Sequence, residues 1–166
     1  MPHATFATPF GDCAIAWSDA GVAAFALPGS TRRLAPPATD APAAPPPPWI
    51  GELIARVQRH LAGAPEDFAD VRYDFAGVSA FNERVLRATL AVKSGRTATY
   101  GEIAAAIGEP PAASRAVGAA LGANRCPLLI PCHRITGAHG KMTGFSGPGG
   151  IETKARLLAL EGACLL

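Results

Sequence analysis

Ile130-Pro131-Cys132-His133-Arg134-Ile135 sets a cysteine directly beside a histidine, immediately after the apolar run Leu128-Leu129-Ile130. Pro131 locks its own φ and biases Ile130 toward an extended shape, so covalent geometry fixes the approach to Cys132. A lone Cys is most often a small buried hydrophobe. A Cys-His pair alone does not carry a function from one family to another. The surrounding residues decide between these readings, and the C-terminal half reads as scaffolding that holds this thiol against something.

The bulk numbers narrow the classes. A chain of 166 residues makes one medium domain or two small ones that share an interface. It is 49% hydrophobic and 17% charged, which marks a folded protein rather than a disordered tail. A net charge of +2 is compatible with nucleic acid without demanding it. No apolar run approaches the roughly 20 residues that span a bilayer. Met1-Pro2-His3-Ala4-Thr5 lacks the basic and apolar regions of a secretory signal. Cys13, Cys126, Cys132 and Cys164 show neither disulfide-like nor CxxC spacing, so free thiols in a reducing, cytoplasmic setting are expected. Cys13, His3 and His60 are zinc-ligand types, but such scattered positions argue against a metal.

The N-terminal part predicts a small antiparallel meander. Ala4-Thr5-Phe6-Ala7-Thr8-Pro9, Cys13-Ala14-Ile15-Ala16-Trp17 and Val22-Ala23-Ala24-Phe25-Ala26-Leu27 are short strand-like runs. Turns at Gly11-Asp12 and Ser18-Asp19-Ala20-Gly21 separate them. Residues 36–48 are almost only Pro and Ala, a loop or extended polyproline spacer. Ile50, Leu53, Ile54, Val57 and Leu61 then form a helical stripe over 49–61, ended by Gly63 and Pro65. Val71-Arg72-Tyr73-Asp74-Phe75 alternates and predicts a half-buried strand. Gly77 marks the boundary between residues 1–77 and 78–166. No cluster of polar groups in 1–77 resembles a site.

The second part predicts helices. Phe81, Val85, Leu86, Leu90 and Val92 share a face of a helix begun near Ser79. Thr99 and Glu102 stand at capping-box spacing before a short helix through Ile107. Gly108-Glu109-Pro110-Pro111 breaks it, and 113–121 forms a second short helix rich in Ala and Gly. Two short helices around a tight turn make a helix-turn-helix pattern, which serves equally as a DNA reader or a packing unit. Arg115 lies on the second helix among small residues, with room for a phosphate or base to come close; a solvated surface Arg is the plain alternative.

Several separate motifs recur in order: Thr99-Tyr100-Gly101-Glu102-Ile103, Ala113-Ser114-Arg115-Ala116-Val117-Gly118, Asn124, Pro131-Cys132-His133-Arg134 and Leu157-Leu158-Ala159-Leu160-Glu161-Gly162. On these the chain resembles the O6-alkylguanine-DNA alkyltransferases, also called methylated-DNA–protein-cysteine methyltransferases, from Phe81 to Ala163. The resemblance implies an α/β (α+β) fold, with a small ribonuclease-H-like sheet plus helix over 1–77 and a mostly helical DNA-binding domain over 78–166. It implies a DNA-repair enzyme that moves an alkyl group from O6-alkylguanine, and also from O4-alkylthymine, onto its own cysteine once only. Cys132 looks like the acceptor, His133 like the base acting through a water, and Glu161 like the acid that orients His133. Asn124 resembles the hinge asparagine, Tyr100 the residue that crowds the 3′ phosphate of the flipped nucleotide, and Arg115 the finger that fills the vacated stack. Ser146 and the carbonyls near Cys132 and Ile135 resemble contacts to the guanine edge. The implied partner is double-stranded DNA carrying the lesion, met by a monomer with no cofactor, no membrane and no obligate protein partner.

Chemistry fits these roles independently. An alkyl group on guanine O6 is a poor electrophile, so the sulfur must react as thiolate, and a neighbouring base supplies it. A histidine oriented by a carboxylate is the logic of the Ser-His-Asp triad with sulfur as nucleophile. The target atom lies inside the duplex, so the nucleotide must rotate out at a cost of roughly a few kcal/mol. Two departures from the family pattern stand out. The loop Gly144-Phe145-Ser146-Gly147-Pro148-Gly149-Gly150 is longer than the compact aromatic-Ser-Gly-Gly form, and Gly108-Glu109-Pro110-Pro111 is a longer turn. Three other readings compete with this one: a lesion binder that does not transfer, a regulator switched by cysteine alkylation, and a cysteine hydrolase. The first lacks the cysteine in related proteins, the second needs a further module, and the third needs an oxyanion loop that nothing here resembles.

Overall fold

The computed structural model describes residues 1–30, 45–142, 144–145 and 148–163. The three early runs form an antiparallel sheet in the order β1 (His3–Thr8), β2 (Gly11–Ser18), β3 (Gly21–Ala26). Its inner face buries Cys13, Ile15, Val22 and Phe25. Of the Pro/Ala spacer, residues 36–44 lie outside the described residues. Pro48 opens α1 (Pro48–Leu61) at a first-turn position, where its missing N–H costs nothing. The helix exists because its apolar stripe has a sheet to cover: Ile50, Leu53, Val57 and Leu61 are buried, each contributing roughly 1.5–3 kcal/mol.

One expected strand is not there. Val71–Phe75 shrinks to a single parallel bridge between Val22 and Tyr73, with Val22 N donating to Arg72 O and Asp74 N to Val22 O, both at 2.8 Å. Asp74 ends the pairing. Its carboxylate accepts Ser18 Oγ at 2.6 Å and the Ala76 N–H at 2.9 Å, which turns the chain away from the sheet. The bridge also needs Gly21, because a Cβ there would stand 2.4 Å from Arg72 O.

The remainder is helical. Ser79 caps α2 (Ala80–Leu90) by accepting the Asn82 N–H. The capping box on α3 (Tyr100–Ala106) forms as read, Thr99 and Glu102 each bonding the other's backbone N–H. The second short helix begins one residue later than expected: Pro111–Ala113 is a 3-10 turn and α4 runs Ser114–Gly122. Pro111 holds the residue before it out of the helical region, and Pro110 is extended at φ −71 and ψ 163, so no turn precedes the 3-10 segment. The chain closes with α5 (Gly150–Leu160). Gly149 precedes α5 at φ +82, and a Cβ there would lie 2.1 Å from Thr153 Oγ1.

One continuous cluster of buried side chains runs from β2, β3 and α1 through α2, α3 and α4 to Leu157 of α5. The N-terminal part thereby buttresses the segment before Cys132. Phe25 N donates to Arg125 O, Tyr73 Oη to Leu129 O, and Arg125 Nη2 to the Asp74 and Ala76 carbonyls. Beyond the cysteine, a two-residue parallel pair joins β4 (Ala98–Thr99) to β5 (Ile135–Thr136), with Thr99 opposite Thr136. The residue that caps α3 is thus pinned to the strand that leaves the Cys-His turn.

Candidate active site

The cysteine is presented by an unusual backbone. Leu128 is buried in the left-handed region at φ 76, a conformation costing of order 1–3 kcal/mol for a side chain of this kind. Asn124 holds that turn: its Nδ2 donates to Ile130 O at 3.0 Å and its Oδ1 accepts the Cys126 N–H at 2.9 Å. Pro131, at φ −81 and ψ 62, is the centre of an inverse γ-turn, with Cys132 N donating to Ile130 O at 2.8 Å. The chain then makes one 3-10 turn over Cys132–Arg134. Rigid presentation of Cys132 therefore follows from Asn124, Leu128 and Pro131 together.

That 3-10 turn delivers the next two side chains to Glu161, the residue that caps the C-terminus of α5. His133 Nε2 lies 2.9 Å from Glu161 Oε1 and 3.0 Å from Oε2. Arg134 grips the same carboxylate with both tines, Nε to Oε1 at 3.0 Å and Nη2 to Oε2 at 2.9 Å. Arg134 Nη1 donates onward to Asp67 Oδ1 and to Val92 O, each at 2.8 Å. His60 completes the shell, its Nε2 3.0 Å from Glu161 Oε2. Apart from Asp67, which is partly exposed, these side chains are buried; that of Glu161 is 0% exposed and that of Arg134 2%. A carboxylate at a helix C-terminus faces an unfavourable dipole, and the guanidinium fork offsets it.

The model for the 6-O-methylguanine DNA methyltransferase DNA-binding domain matches residues 80–163. This chain belongs to the methylated-DNA–protein-cysteine methyltransferase family. The family member from Methanothermobacter thermautotrophicus is 34% identical over 157 residues, covering 95% of this chain and 83% of that one. A methyltransferase of the same name from Methanosarcina acetivorans is 34% identical across 99% of this chain and 100% of its own. Among solved structures, Mycobacterium tuberculosis OGT in complex with DNA superposes with a TM-score of 0.79 at 35% identity, covering 98% of this chain and 93% of that one.

Within this methyltransferase the proton positions follow from partners. His133 Nε2 faces a carboxylate, so it carries the hydrogen, and Nδ1 carries the lone pair. Nδ1 is buried and has no hydrogen-bond partner among the described residues. Burial pushes the His133 pKa down, against the pull of Glu161, so the ring is neutral at neutral pH. Burial pushes the Cys132 thiol up, opposed by a hydrogen bond with Asn124, the charge of Lys154, and the Cys132 and His133 amides. For Glu161, burial pushes up, but bonds from His133, His60 and Arg134 hold the carboxyl well below the usual range. At neutral pH the site holds a neutral thiol at Cys132 and, at the next position, a neutral imidazole whose Nε2 is bound to a fixed anion.

The other residues singled out from the sequence are distributed as follows. Asn124 is at the turn described above. Tyr100 is half-buried at the start of α3, its ring facing Gly118 of α4, where an added Cβ would stand 3.9 Å away. Arg115 is exposed on the first turn of α4. Ile135 is buried, and its carbonyl accepts Lys154 Nζ at 2.5 Å. Ser146 and Cys164 lie outside the described residues. No three His, Cys, Asp or Glu side chains among the described residues group as metal ligands. His60, read from sequence as a scattered zinc-ligand type, is turned to Glu161. The N-terminal part does reach the site, contrary to expectation, through His60 and Asp67. Lys154, Arg134, His60 and Asp67 were all missed as site residues. Arg134 left a trace in sequence as the fourth letter of Pro131-Cys132-His133-Arg134, and His60 only as a scattered zinc-ligand type.

Proposed function

We propose that this chain repairs DNA by taking the alkyl group of O6-alkylguanine onto Sγ of Cys132, in a single turnover. The observation that carries the reading is the orientation of His133, the residue after Cys132: Nε2 is fixed on the buried Glu161 carboxylate, and Nδ1 is buried with its lone pair unengaged among the described residues. A base so held takes the thiol proton through a water, and Glu161 stabilises the imidazolium that forms. The thiolate attacks the alkyl carbon, the S–C bond forms as the C–O6 bond breaks, and its electron pair stays on the guanine. The proton from Cys132 ends on the guanine, so charge balances and no cofactor or metal is called for. Lys154 and Asn124 favour the thiolate while the proton is away.

The target lies inside a duplex, so α3 and α4 act as a helix-turn-helix that holds the DNA with the damaged nucleotide rotated out. Tyr100 stands at the 3′ phosphate of that nucleotide, Arg115 enters the stack it leaves, and the Cys132 and Ile135 carbonyls with Ser146 read the guanine edge. The groups that meet DNA and react then all fall within 78–166, with 1–77 as the buttress. O4-alkylthymine, presenting a similar alkylated oxygen, is a second substrate. The partner is damaged double-stranded DNA alone, and the chain acts as a monomer.

The test is direct. Incubation with a duplex carrying O6-methylguanine, followed by intact-mass and peptide mass spectrometry, is expected to place one methyl group on Cys132. Label on Cys126 or Cys164 instead would remove the assignment.

A further inference from the structure

His60 belongs to the last turn of α1, outside the residues that the family model matches. Its side chain is fully buried, with the ring centroid 5.6 Å from that of Phe68. Nδ1 accepts the Glu66 backbone N–H at 3.0 Å. An imidazole that accepts at Nδ1 carries its hydrogen on Nε2. That N–H lies close to the acid that holds His133, with Nε2 3.0 Å from Glu161 Oε2, but points off the oxygen and makes no aligned hydrogen bond to it. The distance is that of a hydrogen bond while the alignment is poor, and an N–H this close to a buried anion is attractive in either case. A purely space-filling position beside Phe68 would be filled more cheaply by an apolar side chain.

We propose that His60 is a positioning residue of the transfer reaction: its Nε2–H holds Glu161 turned toward His133 and limits how firmly that carboxylate retains a proton on His133. This rests on His133 being the proton acceptor, as argued above. A carboxylate offers about four lone-pair sites. Arg134 takes one on each oxygen, His133 is shared between the two, and the His60 N–H stands 3.0 Å from Oε2 as a close dipole rather than an aligned bond. Removing His60 leaves that share of negative charge to His133, which then holds a proton more tightly and is a weaker acceptor at mildly acid pH. The charged and titratable groups around the pair are Glu161 from the end of α5, His133 and Arg134 from the 3-10 turn, and Asp67 through Arg134. Arg56 lies over the Phe68 ring, 5.2 Å from its centroid. Cys132 and Lys154 interact by charge next to His133 in the chain. The N-terminal part thus supplies a group to the chemistry as well as a buttress.

The experiment compares wild type, His60→Phe and His60→Gln, the last restoring an N–H donor without a titrating ring. Two quantities are followed against pH: the single-turnover rate on an O6-methylguanine duplex, and the titration of the His133 ring nitrogens by NMR in the protein alone. In His60→Phe the His133 titration is expected to move up by about half a unit to one unit, with the rate down about threefold to tenfold near about pH 6 and less than about twofold near about pH 8.5. His60→Gln is expected to return both curves toward wild type. Should Phe not be accommodated, His60→Leu serves the same comparison in a smaller volume. A rate profile and a His133 titration superimposable on wild type in the apolar variant would overturn the proposal, whatever the loss in thermal stability. If the wild type itself leaves Cys132 unmodified, the transfer reading fails instead, and the His133 titration alone decides the role of His60.

Discussion

The two sides of the Cys-His turn are built on opposite plans. Behind it, the buried side chains of Arg134, His133 and His60 surround the Glu161 carboxylate, and Arg134 ties the group to the partly exposed Asp67. In front, α3 and α4 carry Tyr100 and the exposed Arg115 among Ala and Gly, and Arg115 forms no ion pair among the described residues. The difference teaches which part must stay still and which must meet a partner. A buried ion pair is weak evidence for stability but is costly to break from one side. A solvated Arg costs little to remove until something binds there.

The largest expected effect falls on the reacting atom between the two sides. Cys132→Ala should abolish transfer and leave binding to alkylated duplex intact within about twofold, because the DNA-facing groups are elsewhere; an electrophoretic shift assay beside the transfer assay checks both. Next comes the buried side. Arg134→Met should cost about 3–5 kcal/mol in urea unfolding, since it leaves the Glu161 charge without its fork. Glu161→Gln should slow transfer by about tenfold to a hundredfold and flatten the pH dependence of the rate. The front side should break the symmetry. Arg115→Ala should change stability by no more than about 0.5 kcal/mol. The same change should lower repair of duplex DNA about tenfold or more, with reaction on free O6-benzylguanine almost unaffected, since only the duplex requires flipping. Equal losses on both substrates would make Arg115 structural.

The smallest effect concerns pH and folding. His133 has a lowered folded-state pKa, so the unfolded chain binds its proton first and stability falls as pH drops below the ordinary imidazole value of about 6.5. Glu161, also lowered, adds a further loss through the ordinary carboxylate range, since it stays ionised in the folded state. At the alkaline end the sign reverses. Burial pushes Cys13 up to about 11 and Cys126 up to about 12, so unfolding is favoured as pH rises past the ordinary thiol range. Chemical denaturation across this range should give a maximum near neutrality; a curve flat between about pH 5 and about pH 7 would contradict the buried neutral His133.

How much was legible follows from the range of each interaction. The capping box at Thr99 and Glu102, the cap at Ser79 and the stripe of α1 are local, and the sequence spells them out within a few residues. The strand at 71–75 was misread because alternation is local but pairing is not: Asp74 found Ser18, a partner 56 positions away. The Cys132-His133 pair and Glu161 were legible through motif order. The partners of Glu161 were not, because His60 and Asp67 arrive from α1 and the loop after it, and only packing against the sheet brings them there. A charged residue in an unremarkable stretch carries no mark of burial, and so nothing in the sequence singles out Lys154.

The central claim is that transfer ends in a bond this site cannot undo. The proposed product is a thioether on Cys132, and a thioether is not hydrolysed by an activated water, so a base that forms the thiolate would not regenerate it. The decisive measurement is the yield of repaired base against active protein with lesion duplex in growing excess. The account predicts a plateau at one alkyl group per active chain, all of it on Cys132, with no added cofactor. Continued repair past that plateau, or dependence on an added methyl acceptor or metal, would contradict it.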